Sequence, residues 1–367
     1  MSNFDPKKPY NQLPILPPTV NFKDQDILIA SLEASEAIAA LNTLTDSEVA
    51  VIITSHMFSP FFIPEAVASS QVEDVATTNE LVLKALAVTD KKEISGAEKE
   101  AMNYQKALVQ GMDFILKKGF LATNQYVELQ QTLVSSRAGI RKLPGTTISN
   151  PHTKEIYYTP PEGEEKIRTL LKNFEEYFNE ESPTHEVYAR MAILHYQFEA
   201  IHPFYDGNGR TGRMLMPLYL LKQRRLTLPV IFLSKYILEH RDEYNQRLRA
   251  VTKENDWKKW ILFMTKATAV QAEYTTHALR EVNHVIASTR KKLREEIPQV
   301  YSAELVEYIF TNPFFSIAEF QKNMSLSYVT ARKYLQTLEQ NNILRKTLHK
   351  NRFLYFSPQL FKILRES

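Results

Sequence analysis

Twelve consecutive residues, 202–213, hold the side chains best suited to chemistry in this chain, and they read His-Pro-Phe-Tyr-Asp-Gly-Asn-Gly-Arg-Thr-Gly-Arg. His202 titrates near neutrality and could accept a proton from an attacking hydroxyl. Asp206 offers the hard oxygen ligand that Mg²⁺ prefers. Gly207 and Gly209 allow the backbone to approach an anion closely. The stretch therefore predicts a site that binds a polyphosphate and activates a hydroxyl.

Two arginines at the end of this stretch strengthen the prediction. If a helix begins at Arg210, its N-terminal end adds positive potential. Arg210 and Arg213 then share one helix face and direct two guanidinium groups toward one region. Glycine-rich turns are common, and a histidine before a turn is often an ordinary loop residue. A base, a metal ligand, an anion site and two cations within twelve residues make coincidence improbable.

The stretch resembles the signature of the Fic family, His-x-Phe-x-(Asp/Glu)-Gly-Asn-Gly-Arg-x-x-Arg, and every defined position matches. The resemblance implies transfer of AMP from ATP to a Ser, Thr or Tyr hydroxyl of a protein. It assigns His202 as the base and Asp206 as the Mg²⁺ ligand. It assigns binding of the ATP phosphates to Gly207, Asn208, Gly209, Arg210, Thr211, Gly212 and Arg213. The resemblance leaves the protein that accepts AMP open, and modification of the chain itself is one of the alternatives.

A second segment matches the inhibitory motif of the same family, (Ser/Thr)-x-x-x-Glu-(Gly/Asn), at Ser69 and Glu73, whereas Asp74 departs from the last position. A Glu73 carboxylate near Arg213 would neutralise the fork that holds a terminal phosphate. We therefore predict an inhibitory helix over about residues 64–75. For an isolated glutamate, a solvated helix end would be the simpler interpretation.

Two further sets of contacts follow from the resemblance. Short β-prone runs around a turn-rich segment predict a hairpin flap over residues 145–159. In Fic proteins, a hairpin at this place aligns the target segment by strand addition. The docking residues assigned here are Thr147, Ile148, Tyr157 and Tyr158. Where the family often carries a nucleotide-contacting tyrosine pair, this chain has Tyr244 and Asn245, although a tyrosine at helical spacing is usually part of a core.

Composition is that of an ordinary globular chain, with 44% hydrophobic and 24% charged residues among 367. This length suffices for two or three domains with a buried core. The absence of cysteine excludes disulfides, thiolate metal sites and a cysteine nucleophile. The first 20 residues are polar and proline-rich, and no run approaches the length of a membrane span. We expect a cytoplasmic protein with no membrane partner.

Helical periodicity dominates the chain, which predicts a mostly α fold: a Fic-type helical bundle with a β-hairpin flap and a C-terminal winged helix-turn-helix domain. We expect an N-terminal helical region at 1–100, a catalytic core at 101–290 and the winged helix at 300–367. The predicted helices cover residues 24–44, 64–73, 98–116, 124–133, 164–178, 184–200, 210–222, 234–251 and 257–289. Thr77 and Glu80 have capping-box spacing for one more helix, and residues 289–296 look like a charged exit toward a linker.

The last domain carries the basic excess, with nine Lys or Arg and five Asp or Glu between residues 301 and 367. Its third helix, predicted over residues 328–338, has the place of a DNA-reading helix. Its exposed candidates are Ser325, Ser327, Tyr328, Thr330 and Lys333, and the hairpin that follows has a basic tip at Lys350, Asn351 and Arg352. Many winged helices bind proteins instead, so the sequence leaves DNA and protein contacts open, and it leaves a homodimer open as well.

Two other functions stay open. Some Fic relatives transfer other phosphorylated groups or remove AMP. The Doc kinases carry lysine in place of the second glycine, so Gly209 favours AMP transfer, whereas AMP removal can use the same residues. The other alternative is a DNA-binding regulator that only senses nucleotide, and the intact His202 argues against it.

Overall fold

Helices form most of the protein, which confirms the predicted fold class. The computed structural model describes residues 4–45, 60–87, 94–150 and 153–366. The helices before the signature are α1 (Gln25–Thr45), α2 (Ile63–Val72), α3 (Asn79–Leu86), α4 (Gly96–Lys118), α5 (Thr123–Val134), α6 (Glu164–Asn179) and α7 (Val187–Ile201). The helices from the signature onward are α8 (Asn208–Lys222), α9 (Leu233–Glu239), α10 (Arg241–Glu254), α11 (Trp257–Glu296), α12 (Ala303–Thr311), α13 (Ile317–Asn323), α14 (Tyr328–Gln340) and α15 (Pro358–Glu366).

The strands within the described residues form two antiparallel pairs. The first hairpin joins β1 (Ile148–Ser149) to β2 (Ile156–Tyr158), and the second joins β3 (Arg345–His349) to β4 (Arg352–Phe356). The first hairpin has an irregular register, with Ile148 opposite Tyr158 and Ser149 opposite Ile156. A two-stranded hairpin is marginal by itself, so the first hairpin depends on contacts with the helices.

Helix α7 is the central helix of the bundle, and every one of its residues except Arg190 is buried. It packs against α8, α11 and α6. A helix that is apolar on all sides belongs inside a protein, and the sequence of α7 has this character. Trp260 of α11 fixes its position further, because the indole Nε1 donates to the Ala192 carbonyl at 2.8 Å. The signature begins where this fixed helix ends.

Helix α1 corrects the expectation that no run approaches the length of a membrane span. Residues Gln25–Leu44 are long and apolar enough, by length and composition alone, to cross a membrane. A core helix satisfies the same criterion, and α1 packs along α11 with Ile27, Ala34, Ile38 and Leu41 buried. Its opposite face leaves Leu32 61% exposed. The structure therefore gives α1 a place in the bundle.

Several helix boundaries differ from the prediction. Thr78, not Thr77, caps α3, because its hydroxyl accepts from the Leu81 amide. The predicted helix over 234–251 is two helices, α9 and α10, which meet at His240. Helix α8 begins two residues earlier than predicted, since Gly207 already provides the cap. Pro217 lies inside α8 without ending it.

The C-terminal region has three helices followed by the second hairpin, which are the elements that a winged helix requires. The domain class itself stays a prediction. Asn342 adopts a left-handed conformation (φ 56°) after α14, as its predicted stop position requires. Helix α11 runs without interruption to Glu296, so residues 289–296, expected as a charged exit toward a linker, are the last two turns of this helix. The sequence also missed α15, whose first residue is Pro358, a favourable first position for a helix.

Candidate active site

The signature forms a loop between α7 and α8. Helix α7 ends before His202, which takes a left-handed conformation (φ 48°, ψ 59°). Gly207 is left-handed as well (φ 79°), and a Cβ there would lie 2.6 Å from a Val134 methyl. Both the positive φ and the close packing require glycine at this position. Helix α8 starts immediately after it, so its first amides face the loop.

Three side-chain contacts hold the loop in one shape. The Asn208 amide bonds both backbone groups of Phe204, accepting from its N–H at 2.9 Å and donating to its carbonyl at 2.8 Å. Gln130 of α5 donates to the Asp206 carbonyl at 2.9 Å. Thr211 donates to the Gly207 carbonyl at 2.7 Å. The side chains of Asn208 and Thr211, both predicted among the phosphate-binding residues, thus stabilise the loop itself.

Gly212, another predicted phosphate-binding residue, lies at the contact between α7 and α8. A Cβ at Gly212 would lie 2.3 Å from the Glu199 carboxylate and 3.2 Å from the Phe198 ring. Glu199 is itself buried, and burial raises the pKa of its carboxyl to about 7 despite the nearby charge of Arg213. Gly212 therefore permits close packing of the two helices behind the loop.

His202 is half-buried and neutral at pH 7. Burial, together with the nearby Arg141 guanidinium, lowers the pKa of its imidazole to about 4. The Glu73 carboxylate and the Glu199 carbonyl oppose this shift without reversing it. A neutral imidazole can accept a proton, so the electrostatics suit a general base.

The two arginines of the signature already have carboxylate partners. Arg210 forms ion pairs with Glu100 of α4 and with Asp206, the latter at 3.1 Å. Arg213 is only 2% exposed, and it donates to Glu73 at 2.8 Å, to the Ser69 hydroxyl at 3.0 Å and to the Ser69 carbonyl at 2.9 Å. Besides Asp206 of the loop itself, the guanidinium groups thus bind two acidic partners from the N-terminal part of the chain, Glu100 and Glu73.

The carboxylate of Glu73 occupies the space in front of α8. One of its oxygens lies 2.1 Å from where a Cβ of Gly209 would be, and the same oxygen accepts from Arg213. Partial burial disfavours its ionisation, but the Arg213 charge and hydrogen bond outweigh that and hold the pKa of Glu73 below its ordinary value. An anion at the start of a helix is favourable. The structure therefore brings Ser69, Glu73 and Arg213 together, as the inhibitory motif predicts.

Asp74, the departure from that motif, has a structural explanation. It ends the α2 segment in a left-handed conformation (φ 61°), which Asp tolerates better than most residues. Its carboxylate accepts two hydrogen bonds from Arg241 of α10, at 2.6 and 2.9 Å. Asp74 can therefore replace Gly or Asn here and attach the segment to α10.

Glu65 anchors the other end of α2. Its buried carboxylate accepts from the amide and hydroxyl of Ser234 on α9 and from the Tyr104 hydroxyl on α4. Burial raises the pKa of Glu65 to about 7, against these hydrogen bonds and the charge of Arg213. Helix α2 is thus fixed at both ends.

Asp206 is the one residue in the loop suited to a divalent cation. Its side chain is 70% exposed, and one oxygen accepts from the Gly207 amide at 2.6 Å. Within the described ranges, no group of three His, Asp or Glu side chains could hold a metal alone. Mg²⁺ commonly takes one or two carboxylates and completes its shell with water and substrate phosphates. Asp206 fits that kind of site.

The predicted nucleotide contact at Tyr244 lies in the core. Tyr244 is 5% exposed, its hydroxyl is 2.9 Å from the His195 Nε2, and its ring packs against Trp260. His195 is buried as well, as expected for a core histidine. Asn245, beside Tyr244 on α10, is half-buried. The core interpretation of this tyrosine fits its position.

The predicted docking residues of the first hairpin have different surroundings. Thr147 is exposed and lies outside the strands, whereas Ile148 is half-buried in β1. Tyr157 lies under the Arg249 guanidinium, 3.5 Å from the ring centre. Tyr158 is buried, and its hydroxyl donates to the Ala200 carbonyl at 2.9 Å. The side chain of Tyr158 therefore attaches the hairpin to α7 and does not face a target.

Three side chains that organise the site were missed from the sequence: Glu100, Gln130 and Arg141. Glu100 and Gln130 bind Arg210 and Asp206, which lie far along the chain, and no local pattern indicates such pairs. Two other missed residues, Glu65 and Glu199, did carry a signal. A carboxylate within an apolar helical run is rare unless it is paired.

Three family models match this chain. The Fic/DOC family model covers residues 120–220, the Fic/DOC N-terminal model covers 30–113, and the model "Protein adenylyltransferase SoFic-like, C-terminal domain" covers 285–360. The protein named Protein adenylyltransferase Fic from Aedes aegypti is 28% identical over 222 residues, which is 59% of this chain and 40% of that protein. The protein of the same name from Culex quinquefasciatus is 34% identical over 129 residues, 34% of this chain and 24% of its own. The chain thus matches less than half the length of these curated relatives.

Solved structures show the same fold. A Fic family protein from Desulfovibrio desulfuricans G20 superposes with a TM-score of 0.57 at 17% identity, covering 93% of this chain and 97% of that one. A Fic domain-containing signaling protein from Bacteroides thetaiotaomicron gives a TM-score of 0.50 at 17% identity, over 68% of this chain and 97% of its own.

Proposed function

Because this chain belongs to the Fic/DOC family, we propose that it transfers AMP from ATP to a Ser, Thr or Tyr hydroxyl of a protein and that Glu73 restrains this reaction. The observation that carries the proposal is the arrangement around the start of α8. A neutral His202, two buried arginines and the first amides of a helix converge there, and the Glu73 carboxylate lies among them. A carboxylate held at this place marks an anion-binding position.

In the proposed reaction, His202 takes the proton of the target hydroxyl, whose oxygen attacks the α-phosphorus of ATP. The bond between that phosphorus and the oxygen bridging to the β-phosphate breaks, and pyrophosphate leaves. The amides at the start of α8 stabilise charge on the phosphates. Arg210 and Arg213 orient the leaving phosphates once Glu100 and Glu73 yield to them.

Asp206 would hold Mg²⁺ together with the phosphates. When bound, the cation neutralises charge on the phosphates and supports departure of pyrophosphate. The Asp206 side chain is 70% exposed, so its carboxylate is accessible to a cation. No second ligand from the chain is required for this coordination mode.

In this proposal, inhibition follows from competition for the guanidinium group of Arg213. Glu73 and a terminal phosphate both need the fork of Arg213, which is buried and has room for few partners. Charge-assisted hydrogen bonds of this kind are strong. While Glu73 holds Arg213, ATP cannot take the orientation that places its α-phosphorus in line for attack.

The first experiment incubates the protein with Mg²⁺ and ATP labelled at the α-phosphate, and it compares wild type, Glu73→Gly and the Glu73→Gly/His202→Ala double variant. We expect label on protein to rise about ten-fold or more in Glu73→Gly. Loss of a general base costs about 10²–10⁴-fold, so the double variant should lose the signal while it still binds ATP. Transfer of γ-label instead would identify a kinase and overturn the proposal. Release of AMP from a modified protein, without transfer, would favour AMP removal.

We also propose DNA as a partner of the C-terminal region, because its positive charge is concentrated there. Residues 328–356 carry six Lys or Arg and one Glu, and Arg332, Lys333, Lys350 and Arg352 are exposed on α14 and at the tip of the second hairpin. Phosphate contacts of this kind make binding dependent on salt. The test is a binding isotherm on duplex DNA at several salt concentrations, with Arg332→Ala/Arg352→Ala as the variant and Lys172→Ala, on the exposed surface of α6, as the control. Equal binding of DNA by wild type, the double variant and the control variant would exclude this surface as the DNA contact.

A further inference from the structure

Arg141 carries a buried positive charge that the proposed reaction does not use. The side chain is 1% exposed. The guanidinium donates to three backbone carbonyls, those of His202 at 2.7 Å, of Ile201 at 3.3 Å and of Pro161, and the Glu162 carboxylate is near enough to favour its charge. A buried charge is costly unless it is well hydrogen-bonded, so a residue of this kind at this place calls for a function.

Two of the carbonyls that Arg141 binds, those of Ile201 and His202, lie at the end of α7. The last carbonyls of a helix have no partner within the helix and form the negative end of its dipole. One of them belongs to His202, whose left-handed backbone (φ 48°) is uncommon for a residue with a side chain. A hydrogen bond to its carbonyl fixes the peptide plane that follows the base. Arg141 therefore opposes relaxation of His202 to an ordinary conformation.

The backbone around Arg141 adds to this attachment. The Arg141 amide donates to the Pro203 carbonyl at 2.9 Å, and Ile140 pairs with Phe204 in an antiparallel bridge. The Tyr205 hydroxyl accepts from the Lys142 amide at 2.8 Å. The segment 140–143 thus runs along residues 203–205 of the signature loop.

The same residue also reaches the first hairpin. Segment 140–143 leads into that hairpin, and Pro161, whose carbonyl Arg141 binds, follows its exit. Tyr158 of β2 bonds the last turn of α7 at Ala200. One guanidinium thus joins the entry of the hairpin, its exit and the end of the helix that presents His202.

We propose that Arg141 is a positioning residue for His202 and that it connects the base of the first hairpin to the catalytic loop. A target segment aligned on the hairpin then meets a base whose backbone is already fixed. The inference rests on the proposed function for the role of His202, but the contacts of Arg141 stand independently of it. The groups that face the imidazole are Arg141, Glu73 and the Glu199 carbonyl, and the charge of Arg141 favours the neutral form.

The experiment uses full-length protein with the Glu73→Gly change and compares Arg141→Gln, Arg141→Lys and Arg249→Gln. Arg249 is the matched control, because it contacts the same hairpin through Tyr157. Two quantities are measured: the pKa of His202, from NMR of labelled histidine assigned with His202→Ala, and the rate of AMP transfer. We expect Arg141→Gln to raise the His202 pKa by about one unit or more and to slow transfer about 10- to 100-fold, with the KM for ATP unchanged.

The lysine variant keeps the charge but lacks the planar fork, whose Nε and Nη2 nitrogens bind these carbonyls from two separate positions. It should leave the His202 pKa near the value of the parent protein and still slow transfer. Arg249→Gln should leave the pKa unchanged. The proposal is overturned if Arg141→Gln, or Arg141→Lys where the glutamine variant does not fold, alters transfer no more than Arg249→Gln. The NMR titration needs no turnover. If the parent protein is inactive but its His202 pKa still responds to substitution of Arg141, the proposed function is refuted and the role of Arg141 is not.

Discussion

Asp74 and Arg241 lie next to Glu73, whose carboxylate we propose to be inhibitory. Their two hydrogen bonds attach the residue next to Glu73 to α10. Both side chains are more than a third exposed, and exposed ion pairs contribute about 0.2–1 kcal/mol. Breaking this pair should therefore weaken the inhibition only partly.

We predict that Asp74→Asn raises AMP transfer about two- to five-fold, well below Glu73→Gly. Asparagine keeps the left-handed conformation, so the change removes the ion pair and little else. Arg241→Gln should give a similar rise, and the double variant should exceed neither, since both changes remove one interaction. Initial rates with α-labelled ATP provide the measurement. Unchanged rates in both single variants would show that the ion pair does not support inhibition.

For individual residues, the sequence identified several that the structure brings together. Glu73 and Arg213 lie 140 positions apart, and only the family motifs connected them before the structure did. Local spacing alone would not have done so. Glu100 and Arg141 were missed for the same reason, because no motif includes them and their partners are distant. Thr211 and Gly212 also have contacts within the fold that the motif did not indicate, because residues within a motif can serve the fold as well as the ligand.

Helix α2 is anchored by the buried carboxyl of Glu65, which is protonated more easily in the folded protein than in the unfolded chain. The pKa of Glu65 rises from 4.5 to about 7 because the group is buried. Its contribution to stability is complete below pH 4.5 and is lost as the pH rises through about 7. A shift of this size corresponds to on the order of 3 kcal/mol.

We predict that Glu65→Gln, compared with wild type, becomes relatively more stable as the pH rises from 5 to 8. Glutamine resembles the protonated acid and cannot ionise. The difference in unfolding free energy between the two proteins is the quantity to follow, since the lowered pKa values of His195 and His202 shift stability the other way over the same range. Urea unfolding at each pH provides it. A difference that stays constant from pH 5 to pH 8 would contradict the role of Glu65.

Element boundaries show what periodicity can and cannot predict. The long helices were found because apolar residues recur at helical spacing. Thr77 and Thr78 are both good caps, and the sequence does not distinguish them. The break at His240 has no glycine or proline to mark it. Helix α15 is short, and its two buried leucines became visible only through the surfaces that they contact.

Across the whole molecule, α15 connects the C-terminal region to α3, the helix that follows the segment with Glu73. Asn79 at the start of α3 donates to the Leu364 carbonyl at 2.9 Å, and Lys84 of α3 lies over the Phe314 ring. Gln71 of α2 in turn donates to the Thr77 carbonyl just before α3, at 2.8 Å. These contacts join the second half of the chain to the segment with Glu73. No sequence pattern indicated this arrangement, because it depends on how separate helices pack.

We predict that removal of residues 358–367 raises AMP transfer several-fold, since α3 then loses a neighbour and the Glu73 segment moves away more easily. Asn79→Ala, a milder change at the same contact, should raise it less. Lys350→Ala, at the tip of the second hairpin, is the control that leaves α15 in place. The decisive comparison is made with Glu73→Gly: if α15 acts through the inhibitory carboxylate, its removal should add nothing there. An equal rise in that background would show that α15 affects the catalytic loop by another route.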